Sequence, residues 1–515
     1  MASETTTTQA DLHPLELIIF DRLDRLEYEQ SPSSRRLSLQ QAMVILQVLA
    51  VTLTASVVNG LVIVGLPTIT RDLQLRPSLA FWPSSASSLA TASTLLLAGS
   101  MADAVGPRCI ELVGAFLSGS LIIGQGLCQY GEQFVLMRAF QGLGLALHLA
   151  SSISIITQLM PQGKDRNLVF SAMGISQPLG FSIGLFVGGI LVDTIGWRSG
   201  WYIAGGTTLF FAVIGLLALP KNKDHQYADP INNIRTNIDW VGACLASAFM
   251  ALLCYFLAIL SANPSSITST ESIVILCLAA IALPSFLLWM EYQVKRNRPA
   301  LIPNSFWINV SFSSICTTIA LSNAVLNSME LFTGLFFQEV QHLSAFQTSL
   351  RILPSLVVGV LVNLLVGFSV HKAPAVWIAT ITSFLCAGSP LLMAVIQPSW
   401  PYWANAFVAQ LLQPISVDAL FTIGLIFITD AFPDNTQALA GAVFNTSAQF
   451  GTALGLAVMQ VTSTITTNKS QKLETQALME GYRASFWTMF GFMLLCTVVS
   501  FLGLRNAGKV GLKRD

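Results

Sequence analysis

Charged residues are scarce in this sequence. Asp, Glu, Lys and Arg together make up 10% of its 515 residues, whereas a soluble domain carries about a quarter. Hydrophobic residues make up 53%, and the mean hydropathy is +0.65. Because so few charges cannot cover a soluble surface of this size, the composition predicts an integral membrane protein. The formal net charge is zero, so no basic field is present to attract nucleic acid.

The sequence also lacks closely spaced cysteines, a phosphate-binding loop and the HExxH motif. Its eight cysteines are scattered, with no CxxC pair, so we expect neither a disulfide framework nor a metal site. It has no GxxxxGK[ST] phosphate loop, so we do not expect ATP to be the energy source, and HExxH does not occur. We therefore expect a protein that is not an enzyme and that needs no cofactor.

Long apolar runs, in contrast, fill the chain. A bilayer core about 30 Å thick needs a helix of about 20 apolar residues. The polar breaks in the sequence leave fourteen such runs. They are 40–65, 79–102, 109–129, 134–159, 167–192, 199–219, 239–260, 272–290, 308–338, 349–370, 374–396, 402–429, 437–464 and 484–505. We therefore predict an all-α integral membrane protein with fourteen transmembrane helices.

The distribution of basic residues indicates the orientation. If both termini are cytoplasmic, the cytoplasmic segments hold 18 Lys and Arg residues and the outer loops hold 6. This asymmetry follows the positive-inside rule and requires an even number of spans. Twelve spans would give the same orientation. The first 38 residues lack a basic segment followed by an apolar one, so we interpret them as a cytosolic tail and not as a signal peptide.

Two polar stretches, 220–239 and 291–306, divide the spans into groups of six, two and six. Two six-helix bundles around a site at the membrane midplane are a recurrent design of secondary transporters. The domain prediction, in chain order, is a cytosolic tail (1–39), an N-terminal six-helix bundle (40–219), a cytosolic linker (220–238), an inserted two-helix pair (239–290), a second cytosolic linker (291–307), a C-terminal six-helix bundle (308–505) and a cytosolic C-terminal end (506–515).

A short charged motif lies between the second and third spans. The sequence GSMADAVGPR contains Gly99, Asp103, Gly106 and Arg108 and resembles the GxxADxxGRR signature of the major facilitator superfamily. A turn this tight requires glycine, and Arg108 can bond carbonyls or a carboxylate across the bundle. Asp103 can face the positive N-terminus of a neighbouring helix. The resemblance implies that this loop latches the cytoplasmic side and thereby acts in gating.

The fourth span carries a second motif. The sequence LMRAFQGLGLALH includes Arg138, Gln141 and Gly142 and resembles the RxxQGxG motif of the same superfamily. An arginine inside a span is costly and normally points towards a polar partner or water within the bundle. Alternatively, the long side chain of Arg138 extends from within the span and places its guanidinium at the outer interface between membrane and water.

The fifth span carries a glycine stripe. Gly180, Gly184 and Gly188 recur every four residues, which allows close helix packing, and Gly189 follows. This segment resembles the helix 5 motif of the superfamily's antiporters, although Leu185 stands where that motif usually has proline.

The second half extends the resemblance. DWVG at 239–242, the segment 424–458 and the 6+2+6 layout together resemble the fourteen-span drug:proton antiporters, and above all fungal efflux pumps for toxins, azoles and secondary metabolites. The resemblance implies a major facilitator fold in the plasma membrane or the vacuolar membrane. It further implies a monomer that exports small molecules in exchange for protons. A facilitator or a narrow carrier for a small polar or inorganic solute is the alternative; a membrane sensor fits less well.

Proton coupling requires an acid, and the family's usual one is missing. Aligned on GLPTI, the chain has Val58 where helix 1 of the family has aspartate, and Asn59 follows. Asp418 and Glu330 are the candidates instead, because an ionisable group inside a span is a functional hypothesis by default. Each could also be a structural hydrogen-bonding residue.

Several further polar residues are candidates for contact with the substrate. The predicted cavity residues are Asn59, Gln177, Asn323, Asn327, Asn445 and Gln449. His148 could titrate near neutral pH, but we interpret a lone helix histidine as a packing residue. Asn468 begins an N-x-S sequon in the predicted outer loop between the last two spans and is the candidate glycosylation site.

Overall fold

The computed structural model describes residues 38–76, 79, 82–160, 164–220, 238–369, 373–432, 434–505 and 508. The regular secondary structure of these residues is entirely helical. Most of the predicted N-terminal tail, residues 221–237 of the first predicted linker and nearly all of the C-terminal end lie outside the described residues.

Fourteen long helices follow one another through the described part of the chain. Their bounds are α1 Leu39–Asp72, α2 Trp82–Val105, α3 Pro107–Leu127, α4 Gly131–Leu159, α5 Lys164–Thr194, α6 Arg198–Ala218, α7 Trp240–Ala262, α8 Thr270–Lys295, α9 Val310–Leu335, α10 Ala345–Ser369, α11 Ala375–Val395, α12 in two pieces (Ala406–Leu412 and Ile415–Ala431), α13 Asp434–Lys469 and α14 Glu474–Gly503. Helix α9 continues as a π-helical turn, Phe336–Val340.

Each helix overlaps one predicted span, with two differences of detail. Helix α14 begins at Glu474, ten residues before the predicted span, and α12 is interrupted at Gln413 and Pro414. Within the described residues, thirteen helices are long and apolar enough to cross a membrane. Helix α13 is excluded because its many Asn, Gln, Ser and Thr residues lower its hydropathy. The all-helical membrane fold is confirmed; the fourteen-span 6+2+6 arrangement stays a prediction.

The helices pack into two groups that meet along two seams. Helix α1 packs on α5 and α6, and α4 packs on α2 and α3; in the second half, α9 packs on α13 and α14, and α11 on α12 and α14. The seams are formed by α5 against α10 and by α2 against α13. Motion of one group relative to the other must therefore occur at these two helix pairs.

One end of the α5–α10 seam is closed. The hydroxyl of Ser349 donates to the carbonyl oxygen of Leu185 at 2.7 Å, and the backbone N–H of Phe346 donates to Oδ2 of Asp193 at 3.0 Å. A Cβ added at Gly189 would lie 2.5 Å from Oγ of Ser349, so the two helices approach closely. In the predicted orientation this is the outer end.

The predicted inserted pair, α7 and α8, lies at the other seam. Helix α7 packs on both α2 and α13, and α8 packs on α7. The Ser247 hydroxyl donates to the carbonyl of Ser93 on α2, and the rings of Phe249 and Phe450 on α13 are 6.0 Å apart. Helix α7 therefore contacts both groups where they meet.

Asp239 of the DWVG motif fixes the beginning of α7. Its Oδ1 accepts hydrogen bonds from the backbone N–H of Gly242 at 2.9 Å and from Nε1 of Trp289 on α8 at 2.8 Å. The first bond is an N-cap, which satisfies one of the free N–H groups at the start of a helix. The second ties α8 to the same point, so one carboxylate organises the helix pair.

Candidate functional site

The charged turn between α2 and α3 has the conformation that glycine allows. Gly106 has φ of 102°, and Arg108 donates from Nη2 to the carbonyl of Leu216 on α6 at 3.1 Å. Arg108 thus bonds a carbonyl across the bundle. Asp103 is exposed and has no hydrogen bond or ion pair within the described part of the chain, and Gly99 lies in open space. The gating role of this turn stays a prediction.

Arg138 points into the bundle and does not reach the interface. Its side chain is 1% exposed. Nε donates to the carbonyl of Pro83 at 3.0 Å, Nη1 to Oε1 of Gln141 at 2.8 Å, and Nη2 to Oδ1 of Asn59 at 3.1 Å. The guanidinium therefore joins α4 to α1 and α2. All three acceptors are uncharged, so the charge of Arg138 has no carboxylate partner among the described residues.

The Arg138 network continues through two further side chains. Gln125 donates to Oε1 of Gln141 at 3.0 Å, and Nε1 of Trp201 donates to Oε1 of Gln125 at 2.9 Å. A Cβ at Gly142 would overlap the carbonyl oxygen of Ser87, which explains why the motif has glycine there. The RxxQG motif thus consists of one buried polar network and one close helix contact.

The glycine stripe of α5 lies against α1. Cβ atoms at Gly180 and Gly184 would overlap the backbone oxygens of Leu53 and Val57, and one at Gly188 would lie 2.8 Å from the Leu61 side chain. Small residues let helix backbones approach in this way within a membrane. Gly189 is turned away from this face and contacts α10 at the closed end of the seam.

Asp418 is a residue of α12 and contacts α10. Asn363 on α10 donates from Nδ2 to Oδ1 of Asp418 at 2.8 Å, and the Thr422 hydroxyl donates to Oδ1 of Asn363 at 3.2 Å. A Cβ at Gly359 would lie 2.7 Å from Oδ2 of Asp418. The break at Pro414 places Asp418 in the first turn of the second piece of α12. Discontinuous helices of this kind commonly form transporter sites.

Glu330 on α9 is the second acid of this region. Its side chain is 6% exposed, and it has no hydrogen bond or ion pair to any of the described residues. Helix α9, which carries Glu330, packs on α12, which carries Asp418. The structure therefore brings the two predicted coupling acids into one region of the second helix group, without a cation beside either in the residues described.

Three of the predicted cavity residues use their amide nitrogen as a donor within the protein and leave their amide oxygen available as an acceptor. Nδ2 of Asn323 donates to the Ile319 carbonyl, Nδ2 of Asn445 to the Gly441 carbonyl, and Nδ2 of Asn327 to the Asn323 carbonyl, each at 3.0 Å. Asn327 also donates to Oγ1 of Thr452 on α13 at 3.2 Å. In the described structure no donor occupies Oδ1 of these three amides, so each can accept a hydrogen bond from a solute.

The remaining cavity candidates lie elsewhere. Gln177 is exposed on α5, Gln449 is half-buried on α13, and Asn59 is committed to Arg138. The structure thus places Asn59 in the Arg138 network and apart from the other amides. All six cavity assignments stay predictions.

The sequence analysis missed Glu111. Oε1 of Glu111 accepts from Nε2 of Gln47 at 2.8 Å and contacts Nδ1 of His148 at 2.8 Å, while Ser151 donates to Oε2 at 2.8 Å. Glu111 and His148 are both 0% exposed. Glu111 was missed because it lies near the end of a predicted span, where a carboxylate is expected to reach the interface. His148 is thus not a lone packing residue.

Comparison with known proteins identifies the family. The model of the Major Facilitator Superfamily matches residues 48–411. The chain is 35% identical to MFS-type transporter 1 of Pyricularia oryzae over 92% of its own length and 85% of the relative's. It is 28% identical to the methylenomycin A resistance protein of Bacillus subtilis, and the alignment covers 80% of this chain and 84% of that protein. It is 24% identical to a low affinity ammonium transporter of Saccharomyces cerevisiae, and the alignment covers 80% of this chain and 78% of that protein.

A solved structure shows the same fold. A bacterial homolog of the human lysosomal transporter Spinster, in an inward-facing and unoccupied conformation, aligns with a TM-score of 0.64 at 15% sequence identity, covering 91% of this chain and 98% of that one. At this identity the likeness concerns the fold alone. Together with the family match, it shows that the chain belongs to the Major Facilitator Superfamily and is a multi-pass membrane transporter, not an enzyme.

Proposed function

We propose that this transporter exports amphipathic small molecules, such as drugs, toxins or secondary metabolites, in exchange for protons. The observation that carries the proposal is the presence of two carboxylates, the half-buried Asp418 and the buried Glu330, in one region of the second helix group. Intramembrane acids of this kind mark proton relays in pumps and transporters. A carboxyl group can bind and release a proton as its access to water changes during alternating access.

Helix α10 connects Asp418 to the moving seam. Asn363, near one end of α10, bonds Asp418, whereas Phe346 and Ser349, near the other end, close the seam to α5. A proton on Asp418 removes the negative charge that Asn363 contacts and thereby changes the bond that holds α10 to α12. The charge of Asp418 is therefore coupled to the helix that must part from α5 when the closed end opens.

The half-buried amides supply a surface for an amphipathic substrate. Asn323, Asn327 and Asn445 each offer an Oδ1 acceptor beside apolar side chains of α9 and α13. A few placed polar groups among apolar ones are typical of small-molecule sites. The likeness to a methylenomycin A resistance protein supports an organic substrate and the export direction.

A second candidate is a facilitator or carrier for a small polar or inorganic solute. Val58 occupies the position of the usual helix 1 aspartate, which removes the coupling acid of related antiporters from this position. One relative is named a low affinity ammonium transporter, and that likeness favours this alternative. Both candidates use the same fold and differ in cargo and in their need for a proton gradient.

The deciding experiment is a panel of azoles and toxins applied to cells with and without the gene, each with and without a protonophore. We expect the gene to increase resistance to at least one compound and the protonophore to remove that increase. Resistance that persists without a proton gradient would support facilitated movement. Uptake of ammonium or another small ion that depends on the gene, with no change in resistance, would support the second candidate.

We further propose that the protein resides as a monomer in the plasma membrane, or else in the vacuolar membrane, with both termini in the cytoplasm. The excess of Lys and Arg in the predicted cytoplasmic segments supports this orientation. It places the closed end of the α5–α10 seam on the outer side, so the conformation described would be one that opens inwards.

A further inference from the structure

A buried hydrogen-bonded cluster lies in the first helix group, away from the proposed coupling acids. Its centre is Glu111 on α3, with His148 and Ser151 from α4 and Gln47 from α1. Nε2 of His148 in turn contacts Oγ1 of Thr52 on α1 at 2.9 Å. All five side chains are buried. The cluster therefore joins three helices through one carboxylate and one imidazole.

Two placements of the hydrogens satisfy the contacts of His148. The Thr52 hydroxyl has one hydrogen and lies 2.9 Å from both the Val48 carbonyl oxygen and Nε2 of His148, so it donates to one of them. If it donates to Val48, Nε2 of His148 carries a hydrogen and donates to Thr52. If it donates to Nε2, the imidazole is neutral and its hydrogen lies on Nδ1, directed at Oε1 of Glu111.

With a neutral His148, Glu111 is a buried carboxylate that has no cation beside it among the described residues. A buried charge without a partner is costly inside a membrane. One further proton removes this cost in either of two ways. On the imidazole it makes His148 a cation beside the carboxylate, and on Glu111 it makes a neutral acid beside a neutral imidazole.

No other ionisable side chain of the described residues takes part in the cluster. Arg108, three residues before Glu111, donates to the Leu216 carbonyl, and Cys109 is exposed. The other described ionisable groups on helices α1 to α6 have no hydrogen bond or ion pair to Glu111 or His148; they are Arg71 and Asp72 on α1, Asp103 on α2, Glu132 and Arg138 on α4, Arg166 and Asp193 on α5, and Arg198 and Tyr202 on α6. Arg138 is ten residues before His148, about 15 Å along the helix.

We propose that Glu111 and His148 together form a second proton-binding site of this transporter. The site lies about 6 Å from the start of α3, and its bonds to Gln47 and Thr52 make the contact of α1 with α3 and α4 depend on the bound proton. It would give the first helix group a protonatable centre even though Val58 replaces the helix 1 aspartate. Its part in coupling rests on the proposed antiport, whereas the existence of the site does not.

The test uses the full-length protein in lipid nanodiscs and needs no transported substrate. The chain has five histidines, and the His148 signal in the 15N spectrum is assigned by its loss in His148→Gln. Infrared spectra of the wild type and Glu111→Gln reveal whether Glu111 is a carboxylic acid. Between pH 5 and 8 we expect either the signal of an imidazolium at His148 or a carboxylic acid band from Glu111.

Matched variants separate proton binding from simple packing. Glu111→Gln should leave His148 neutral, and Ser322→Ala, which removes a buried hydroxyl in the second helix group, should leave the His148 signal unchanged. Thr52→Val removes the hydrogen-bond partner of Nε2 and should change the His148 signal, whereas Thr52→Ser should preserve it. These two variants also serve if Glu111→Gln does not fold.

Two results would overturn the proposal. One is a neutral His148 in the wild type together with no acid band that disappears in Glu111→Gln. The other is a His148 signal that is the same in Thr52→Val, in Glu111→Gln and in the wild type. Because these readouts concern the proton alone, they stand even if the azole and toxin panel shows no proton-driven export.

Discussion

Nδ2 of Asn363 donates a 2.8 Å hydrogen bond to Oδ1 of Asp418 and thereby joins α10 to α12. The two residues are 55 positions apart in the sequence. The sequence predicts both of their helices, but it does not predict which faces of these helices meet. Because α10 also forms the seam with α5, this bond connects a half-buried acid to a contact between the two helix groups.

Asp418→Asn should abolish proton-driven export. The amide keeps the shape and an oxygen acceptor for Asn363 but cannot bind and release a proton. We expect export of any compound identified in the resistance panel to lose its dependence on pH. Efflux is measured with and without an imposed pH gradient, and Glu271→Gln, at an exposed acid on α8, is the control. Wild-type pH dependence in Asp418→Asn would exclude Asp418 as the coupling acid.

Gly184→Ala should destabilise the protein, because the added Cβ would overlap the backbone oxygen of Val57. Overpacking of a close contact typically costs about 1–3 kcal/mol. The matched control is Gly174→Ala on the same helix, where no atom lies within 4 Å of the added Cβ. Thermal unfolding of the purified variants measures the difference. Equal midpoints for the two variants would show that α1 and α5 separate more easily than their packing implies.

Arg138→Gln should be more harmful than Arg198→Gln. The shorter side chain cannot reach all three acceptors of Arg138, and each buried acceptor left without a donor costs about 1–3 kcal/mol. Arg198 is 40% exposed and pairs with Asp72 at 4.0 Å, an arrangement that contributes little. Unfolding midpoints of both variants provide the comparison, and a similar small loss in each would contradict the importance of the buried network.

Asp239→Ala should loosen the α7–α8 pair. It removes an N-cap, which typically contributes about 1 kcal/mol, and leaves Nε1–H of Trp289 without its acceptor. Asp239→Asn retains an oxygen acceptor and should be milder. The emission of Trp289 is obtained by subtracting the fluorescence spectrum of a protein that also carries Trp289→Phe, and it reports the environment of this indole. An unchanged Trp289 emission in Asp239→Ala would show that another group holds α8 in place.

Glycosylation of Asn468 would test the predicted orientation. Asn468 is exposed at the end of α13, in the sequon Asn468-Lys469-Ser470. If this end faces outwards, the protein expressed in a eukaryotic cell should shift to lower apparent mass on enzymatic deglycosylation, and Ser470→Ala should abolish the shift. A shift that persists in Ser470→Ala would assign the glycan to another sequon.

The sequence predicted the spans and the superfamily motifs well because both depend on local order. Hydropathy along a run of about 20 residues is enough to predict a membrane helix. For Arg138 the sequence left two orientations open, and the three hydrogen bonds inside the bundle decided for the inward one. The same reasoning failed for Glu111, because its position near the end of a run indicated an interfacial residue and its partner His148 is 37 positions away.

The sequence by itself therefore determined that this protein is a helical membrane protein of the major facilitator type, with few acids available inside the membrane. Tertiary structure alone decided which acids share a region and what each one contacts. The physical reason is that hydropathy and motif spacing are properties of one segment, whereas the pairing of Asp418 with Asn363, or of Glu111 with His148, depends on how two helices are rotated and shifted against each other.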